Sequence, residues 1–143
     1  RLGSAKRSLF ASEQYLAKYG LPQTPKLLHQ YDVLLMSRSN SGNTLALTSG
    51  KESLELKISP RFVADDFSIL KQSVVDGLGI AVLPDYMCRE EIQSGKLVQV
   101  LPEWGLQGVD IYALYPQHRV KLPKVKALLE FVIEIFHNKL STD

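Results

Sequence analysis

A chain of 143 residues, 45% of them hydrophobic and 22% charged, has the balance of one globular domain with a buried core, which excludes a disordered chain. Its 17 basic and 15 acidic residues leave a net charge of +2, too small and too evenly scattered to mark a phosphate-binding surface, so this chain alone is not expected to hold DNA. No apolar run approaches the roughly 20 residues of a membrane helix, and the basic stretch Arg1–Arg7 leads into no signal-type apolar segment, so a membrane role has no support.

The only cysteine, Cys88, excludes an internal disulfide and fits a reducing compartment, which makes the cytoplasm the expected location. The chain lacks an initiator Met and enters an apolar run almost at once, which reads as a fragment.

In chain order, Ser8–Ala11 suggests a strand. Ser12 then stands where a helix N-cap belongs, with Tyr15, Leu16 and Tyr19 following before Gly20. Thr24-Pro25 repeats the start signal for a short helix through Leu27 and Leu28, ahead of the apolar run Val33–Met36. Ser37–Asn43 reads as a loop. Thr44–Thr48 and Ser53–Ser59 flank Ser49-Gly50-Lys51-Glu52 in a hairpin pattern, with Leu54, Leu56 and Ile58 alternating against Glu55 and Lys57.

After Pro60, Arg61–Ala64 reads as a strand, and Asp65-Asp66 opens a helix carrying Ile69, Leu70, Val74 and Leu78 on roughly one face. Gly77 and Gly79 close it. Ile80–Leu83 is all apolar, as in a strand buried on both sides, and Pro84 is expected to begin a further helix ending near Gly95. Leu97–Leu101 and Val109–Tyr115 are strand candidates. From Pro123, the residues Val125, Leu128, Leu129, Val132, Phe136 and Leu140 keep helical spacing. Strands alternating with helices, one hairpin apart, predict an α/β fold with a mainly parallel or mixed sheet.

Gly77-Leu78-Gly79 ends a helix and opens a strand, the reverse of a nucleotide-binding loop, so it reads as a helix C-cap. His29, His118 and His137 lack ligand spacing, so no metal or other cofactor is expected. Ser12, Ser41 and Ser68 have no nucleophile-elbow context, and no catalytic set is recognisable. Trp104, Tyr112 and Tyr115 lack interleaved basic residues and read as packing residues rather than base-stacking platforms, while Arg89-Glu90-Glu91 reads as a solvated helix face.

Asp65-Asp66-Phe67-Ser68 carries more, because it joins a strand end to a helix start, where α/β sheets place ligands. Backbone N–H groups there suit an anion or carboxylate. The Asp side chains either cap the helix or receive a polar ligand group, and Phe67 is either an apolar wall or core.

Taken together, the ordered motifs resemble the effector domain of LysR-type regulators over essentially the whole chain. Leu9-Phe10-Ala11-Ser12, Tyr15-Leu16, Gly20, Thr24-Pro25 and Leu28 carry the first part. Val74 through Pro84, reading VVDGLGIAVLP, is similar to the family's helix-to-strand segment, followed by Gly95-Lys96-Leu97-Val98. Trp104, Ile111–Pro116, Pro123-Lys124-Val125 and the helix containing Phe131 resemble its closing strand and helix.

The resemblance implies a two-lobe, periplasmic-binding-protein-like fold with a small-molecule effector between the lobes. It assigns residues 1–11 to a crossover strand from the first lobe, 12–108 to the second lobe, and 109–143 to the return strand and C-terminal helix of the first lobe. It also implies an absent N-terminal winged helix-turn-helix that contacts promoter DNA in a homodimer or tetramer. The effector-lining positions carried over are Asp65, Asp66, Phe67 and Ser68, with Val82 and Pro84. Many family members have a hydroxyl or small residue where Asp65 and Asp66 stand, which weakens the case for a purely anionic effector. A periplasmic-type solute-binding protein is the alternative on the same fold, and an enzyme is least expected.

Overall fold

The computed structural model describes residues 1–37, 42–116 and 121–140. Ser41 and His118 lie outside the described residues, as do positions 38–41 of the Ser37–Asn43 loop and the side chain of Leu140.

In chain order the elements are β1 (Gly3–Ala5), β2 (Arg7–Ser12), α1 (Glu13–Tyr19), a 3₁₀ turn (Pro25–Gln30), β3 (Val33–Met36), β4 (Thr44–Ser49) and β5 (Glu52–Lys57). There follow β6 (Phe62–Ala64), α2 (Phe67–Val75), β7 (Ile80–Pro84), a second 3₁₀ turn (Asp85–Met87), α3 (Arg89–Gln93), β8 (Leu97–Val100), β9 (Gly105–Leu106), β10 (Val109–Ile111) and α4 (Pro123–Leu140). They fall into two compact units, Arg7–Gln107 and a smaller one made of Arg1–Lys6 with Gly108–Asp143.

The larger unit is built on a five-stranded sheet ordered β6-β3-β7-β2-β8. It is mixed: β6, β3 and β7 run parallel, while β2 is antiparallel to both β7 and β8. Every residue of β7 is buried because both faces of this strand are covered, which explains its unbroken apolar run. Side chains alternate across the sheet with period two. Leu9, Val33, Leu35, Ile80 and Val82 meet the hairpin residues Leu45, Leu47 and Leu56 on one face. Phe10, Leu34, Ala81, Leu83 and Leu97 meet Leu70 and Val74 of α2 on the other. The β4–β5 hairpin forms, with Ser49 paired to Glu52 so that its turn is shorter than the four residues expected, and β4 also pairs with β9.

Of the local signals at helix starts, those at Ser12 and Asp66 hold and those at Thr24 and Pro84 do not. Ser12 Oγ accepts from the Tyr15 N–H at 3.1 Å and caps α1. Thr24 makes no side-chain cap, and the segment it precedes is a 3₁₀ turn rather than an α-helix. The α2 face is narrower than its spacing predicts: Leu70 and Val74 are buried, but Ile69 and Leu78 are exposed, since the sheet covers only the i, i+4 stripe. At its end Gly77 takes φ 82°, letting the Leu78 N–H reach Ser73 O at 3.0 Å, as a C-cap requires.

Several boundaries move for identifiable reasons. Pro84 is the last residue of β7, paired with Arg7, and the helical stretch after it is split into a 3₁₀ turn and α3, which Cys88 separates. β8 stops at Val100 because Leu101 takes φ 50°, outside the extended region. Glu91 is not on a solvated face: its Oε1 pairs with Lys71 Nζ at 2.6 Å, tying α3 to α2. Trp104 packs against the hairpin-side core, as expected, while Tyr112 and Tyr115 are exposed among the described residues.

In the smaller unit β10 is shorter than the run Val109–Tyr115 and pairs antiparallel with β1, which lies within the segment 1–11 expected to be a strand. Along α4, Val125, Leu129, Val132 and Phe136 are half-buried at helical spacing, whereas Leu128 is exposed.

Candidate functional site

Because β2 runs against its neighbours, its first residue lies at the same sheet edge as the last residues of the parallel strands. Arg7 stands opposite Pro84 of β7, and Met36 of β3 stands opposite Ala64 of β6. Open α/β sheets bind ligands beyond such carboxyl ends. Here the edge carries a hollow of about 570 Å³, the part open to solvent included. Leu34, Leu35 and Met36 of β3 and Val82 of β7 form its floor, with Phe67 of α2 on one side. Thr44, Leu45 and Ala46 of β4, with Leu106 and Gln107, form the other wall.

Of the residues expected to line a ligand site, Phe67 and Val82 are brought together here. Asp65, Asp66 and Ser68 are exposed at the adjoining start of α2 and do not line the hollow, and Pro84 is buried within the sheet. Asp66 is the N-cap of α2: one carboxylate oxygen accepts from the Ser68 N–H at 2.7 Å and the Ile69 N–H at 3.2 Å. Those bonds hold its carboxyl below the ordinary range, so it remains an anion seated on the helix start. Two of the donors that would suit a ligand anion, the Ser68 and Ile69 N–H groups, are thus occupied by the protein's own carboxylate.

The residue that composition and spacing passed over is Arg7. It lines the hollow, half-buried, and its Nε donates to Gln107 O at 2.8 Å. Burial lowers its pKa, and no carboxylate among the described residues pairs with it. The sequence shows only a basic residue before an apolar run; its place beside the hollow depends on the antiparallel insertion of β2.

Elsewhere in the larger unit the polar clusters are braces. Lys71 Nζ bonds Glu91 Oε1 at 2.6 Å and Met87 O at 3.1 Å, anchoring the helix that carries Phe67. Burial alone would raise the Glu91 carboxyl, but the hydrogen bond and charge of Lys71 hold it below the ordinary range. Asp32, at the start of β3 and away from the hollow, accepts from Arg61 Nη1 at 2.9 Å, and its N–H donates to the Tyr15 hydroxyl at 2.9 Å. Burial pushes the Cys88 thiol up to about 12, so it is no nucleophile. Among the described residues no group of three His, Cys, Asp or Glu side chains could hold a metal ion, and no helix is long and apolar enough to cross a membrane.

Comparison with known proteins identifies the family. The family model described as "LysR substrate binding domain" matches residues 1–136. An HTH-type transcriptional regulator of Xanthomonas campestris pv. campestris is 31% identical over 93% of this chain and 40% of its own length. The HTH-type transcriptional activator TtdR of Escherichia coli K12 is 32% identical over 89% of this chain and 41% of its own. Among solved structures, full-length AphB of Vibrio cholerae superposes with a TM-score of 0.82 at 33% identity, over 95% of this chain and 46% of that one. The CrgA regulatory domain of Neisseria meningitidis gives 0.82 at 30% identity, over 93% of this chain and 66% of that one. The chain therefore spans less than half the length of these curated relatives.

Proposed function

The chain belongs to the LysR substrate-binding domain family, and from that premise we propose that it senses a small-molecule effector in the hollow beside Phe67, Val82 and Arg7. The observation that carries this reading is the placement of a partly enclosed hollow, with apolar and polar lining and one cation, at the carboxyl edge of the sheet. In this reading the unit Arg7–Gln107 is the second lobe of a two-lobe effector domain. Asp65, Asp66 and Ser68 lie at its rim, and Pro84 supports it from within the sheet.

The whole protein is then a cytoplasmic regulator in which effector binding changes how a dimer or tetramer grips promoter DNA. The DNA contacts come from a helix-turn-helix outside this chain. The HTH-type relatives favour this over a solute-binding protein. No reaction is catalysed: the effector leaves unchanged.

Thermal-shift screening of the complete protein carrying this chain tests the reading, with a panel of carboxylates, amino acids, amines and neutral compounds. A compound at 100 times its Kd raises stability by about 2.7 kcal/mol. The same compound must alter promoter affinity in a fluorescence-anisotropy titration, and Ala46→Trp, which adds bulk at the β4 wall of the hollow, must abolish both effects. Binding that survives that substitution removes the hollow from consideration.

A further inference from the structure

Three other cations in the structure pair with carboxylates. Arg61 meets Asp32 at 2.9 Å, Lys71 meets Glu91 at 2.6 Å, and Arg1 meets Asp110 at 3.4 Å. Arg7 is different: it is half-buried in the wall of the hollow and bonded to the protein only through Nε, on the Gln107 carbonyl. That bond fixes the plane of the guanidinium and leaves the Nη donors for another acceptor. Arg7 and Gln107 are also the first and last residues of the larger unit, so this contact joins its two chain ends.

Partial burial of a cation without a counter-charge costs free energy that a bound anion recovers. The competing anion site, the start of α2, is closed by Asp66. Around Arg7 the hollow is walled by apolar side chains: Leu34, Leu45, Phe67 and Val82. A bare inorganic anion would meet the charge but leave those walls wet. A wholly neutral ligand would fill them but strand the charge.

Resting on the reading of the hollow as the effector site, we propose that Arg7 binds the carboxylate of an effector whose remainder is a compact apolar group, aromatic or branched aliphatic. This differs from the expectation drawn from the acidic pair Asp65-Asp66. Neither residue lines the hollow, and the Asp66 charge is spent on its own helix.

The test is isothermal titration of the complete protein with benzoate and isovalerate, beside the near-isosteric neutral amides benzamide and isovaleramide, and inorganic phosphate. A hydrogen bond to a charged group contributes enough that the acids should bind about tenfold or more tighter than their amides, and tighter than phosphate. Arg7→Gln should bring acid binding down to the level of the amide while leaving the amide unchanged. Arg7→Lys, which keeps charge and fold but loses the planar fork, should recover part of the difference.

Equal binding of acid and amide, undiminished acid binding by Arg7→Gln, or phosphate binding as tightly as the acids each overturns the proposal. If instead a neutral or cationic compound binds and Ala46→Trp abolishes it, the hollow stands as the effector site and only the carboxylate assignment falls. Acid binding that persists in Ala46→Trp overturns both.

Discussion

Gly79 is the position where a single methyl group should do the most damage. A Cβ built there lies 2.2 Å from the carbonyl oxygen of Asp32 and 3.0 Å from its carbonyl carbon. The Asp32 oxygen cannot retreat freely, because it accepts the Ile80 N–H at 2.8 Å and so begins the pairing of β3 with β7, where Val33 stands opposite Ile80. Relieving the overlap means separating the two strands at that point. Overpacking of this kind costs about 1–3 kcal/mol and a weakened ladder bond about 1 more, so Gly79→Ala should lose about 3 kcal/mol. In a domain of this size that lowers Tm by on the order of 10 °C. Gly77→Ala supplies the contrast. Its φ of 82° is strained for any side chain, but its Cβ would meet only Ser12 Oγ at an ordinary 3.5 Å, so about 1 kcal/mol is expected. Urea unfolding followed by circular dichroism measures both. If Gly79→Ala is no less stable than Gly77→Ala, the close approach to Asp32 is not what demands glycine.

Three further outcomes are expected. Leu70→Ala, at a fully buried position of α2, should cost about 3 kcal/mol in the same urea titrations, while Ile69→Ala on the exposed side should stay within about 0.5; reversal would mean α2 docks by another face. Cys88, fully buried with its thiol pushed up to about 12, should react with a disulfide reagent at neutral pH only as fast as the protein unfolds, and rapid stoichiometric labelling of the native protein would contradict that burial. Glu91 has its carboxyl held below the ordinary value of 4.5, so its stabilising contribution is present above that value and is lost as pH falls through the lower folded one. Glu91→Gln should therefore flatten the acid limb of a Tm-against-pH profile, and Lys71→Met should cost about 2 kcal/mol at neutral pH; an unchanged limb would show the pair to be inert.

What could be read along the chain was whatever is decided within a few residues. Ser12 and Asp66 cap helices because a side chain there meets an N–H two or three residues on, and the alternation of Leu54, Leu56 and Ile58 reports one wet and one dry face. The family followed from the order of such signals. What could not be read depends on pairings between distant segments. Arg7 reaches the carboxyl edge of the parallel strands only because β2 enters the sheet antiparallel between β7 and β8. Leu106 and Gln107 join the wall only because the two-residue strand β9 pairs with β4, and nothing in a Gly-Leu dipeptide announces a strand. Glu91 looked solvated because its partner, Lys71, sits on another helix.

The hydrogen bond from Arg7 to Gln107 has a topological meaning as well. A hundred-residue stretch that starts and finishes at one hydrogen bond is a closed loop of chain in all but covalent terms. Such a stretch can be rewired. Joining residue 107 to residue 7 through a short flexible linker, and opening new termini at the exposed turn Gly50-Lys51, keeps all five strands of the main sheet in their present neighbourhoods. The larger unit is thereby a cassette, open to circular permutation and to insertion into an unrelated host protein at a single surface loop.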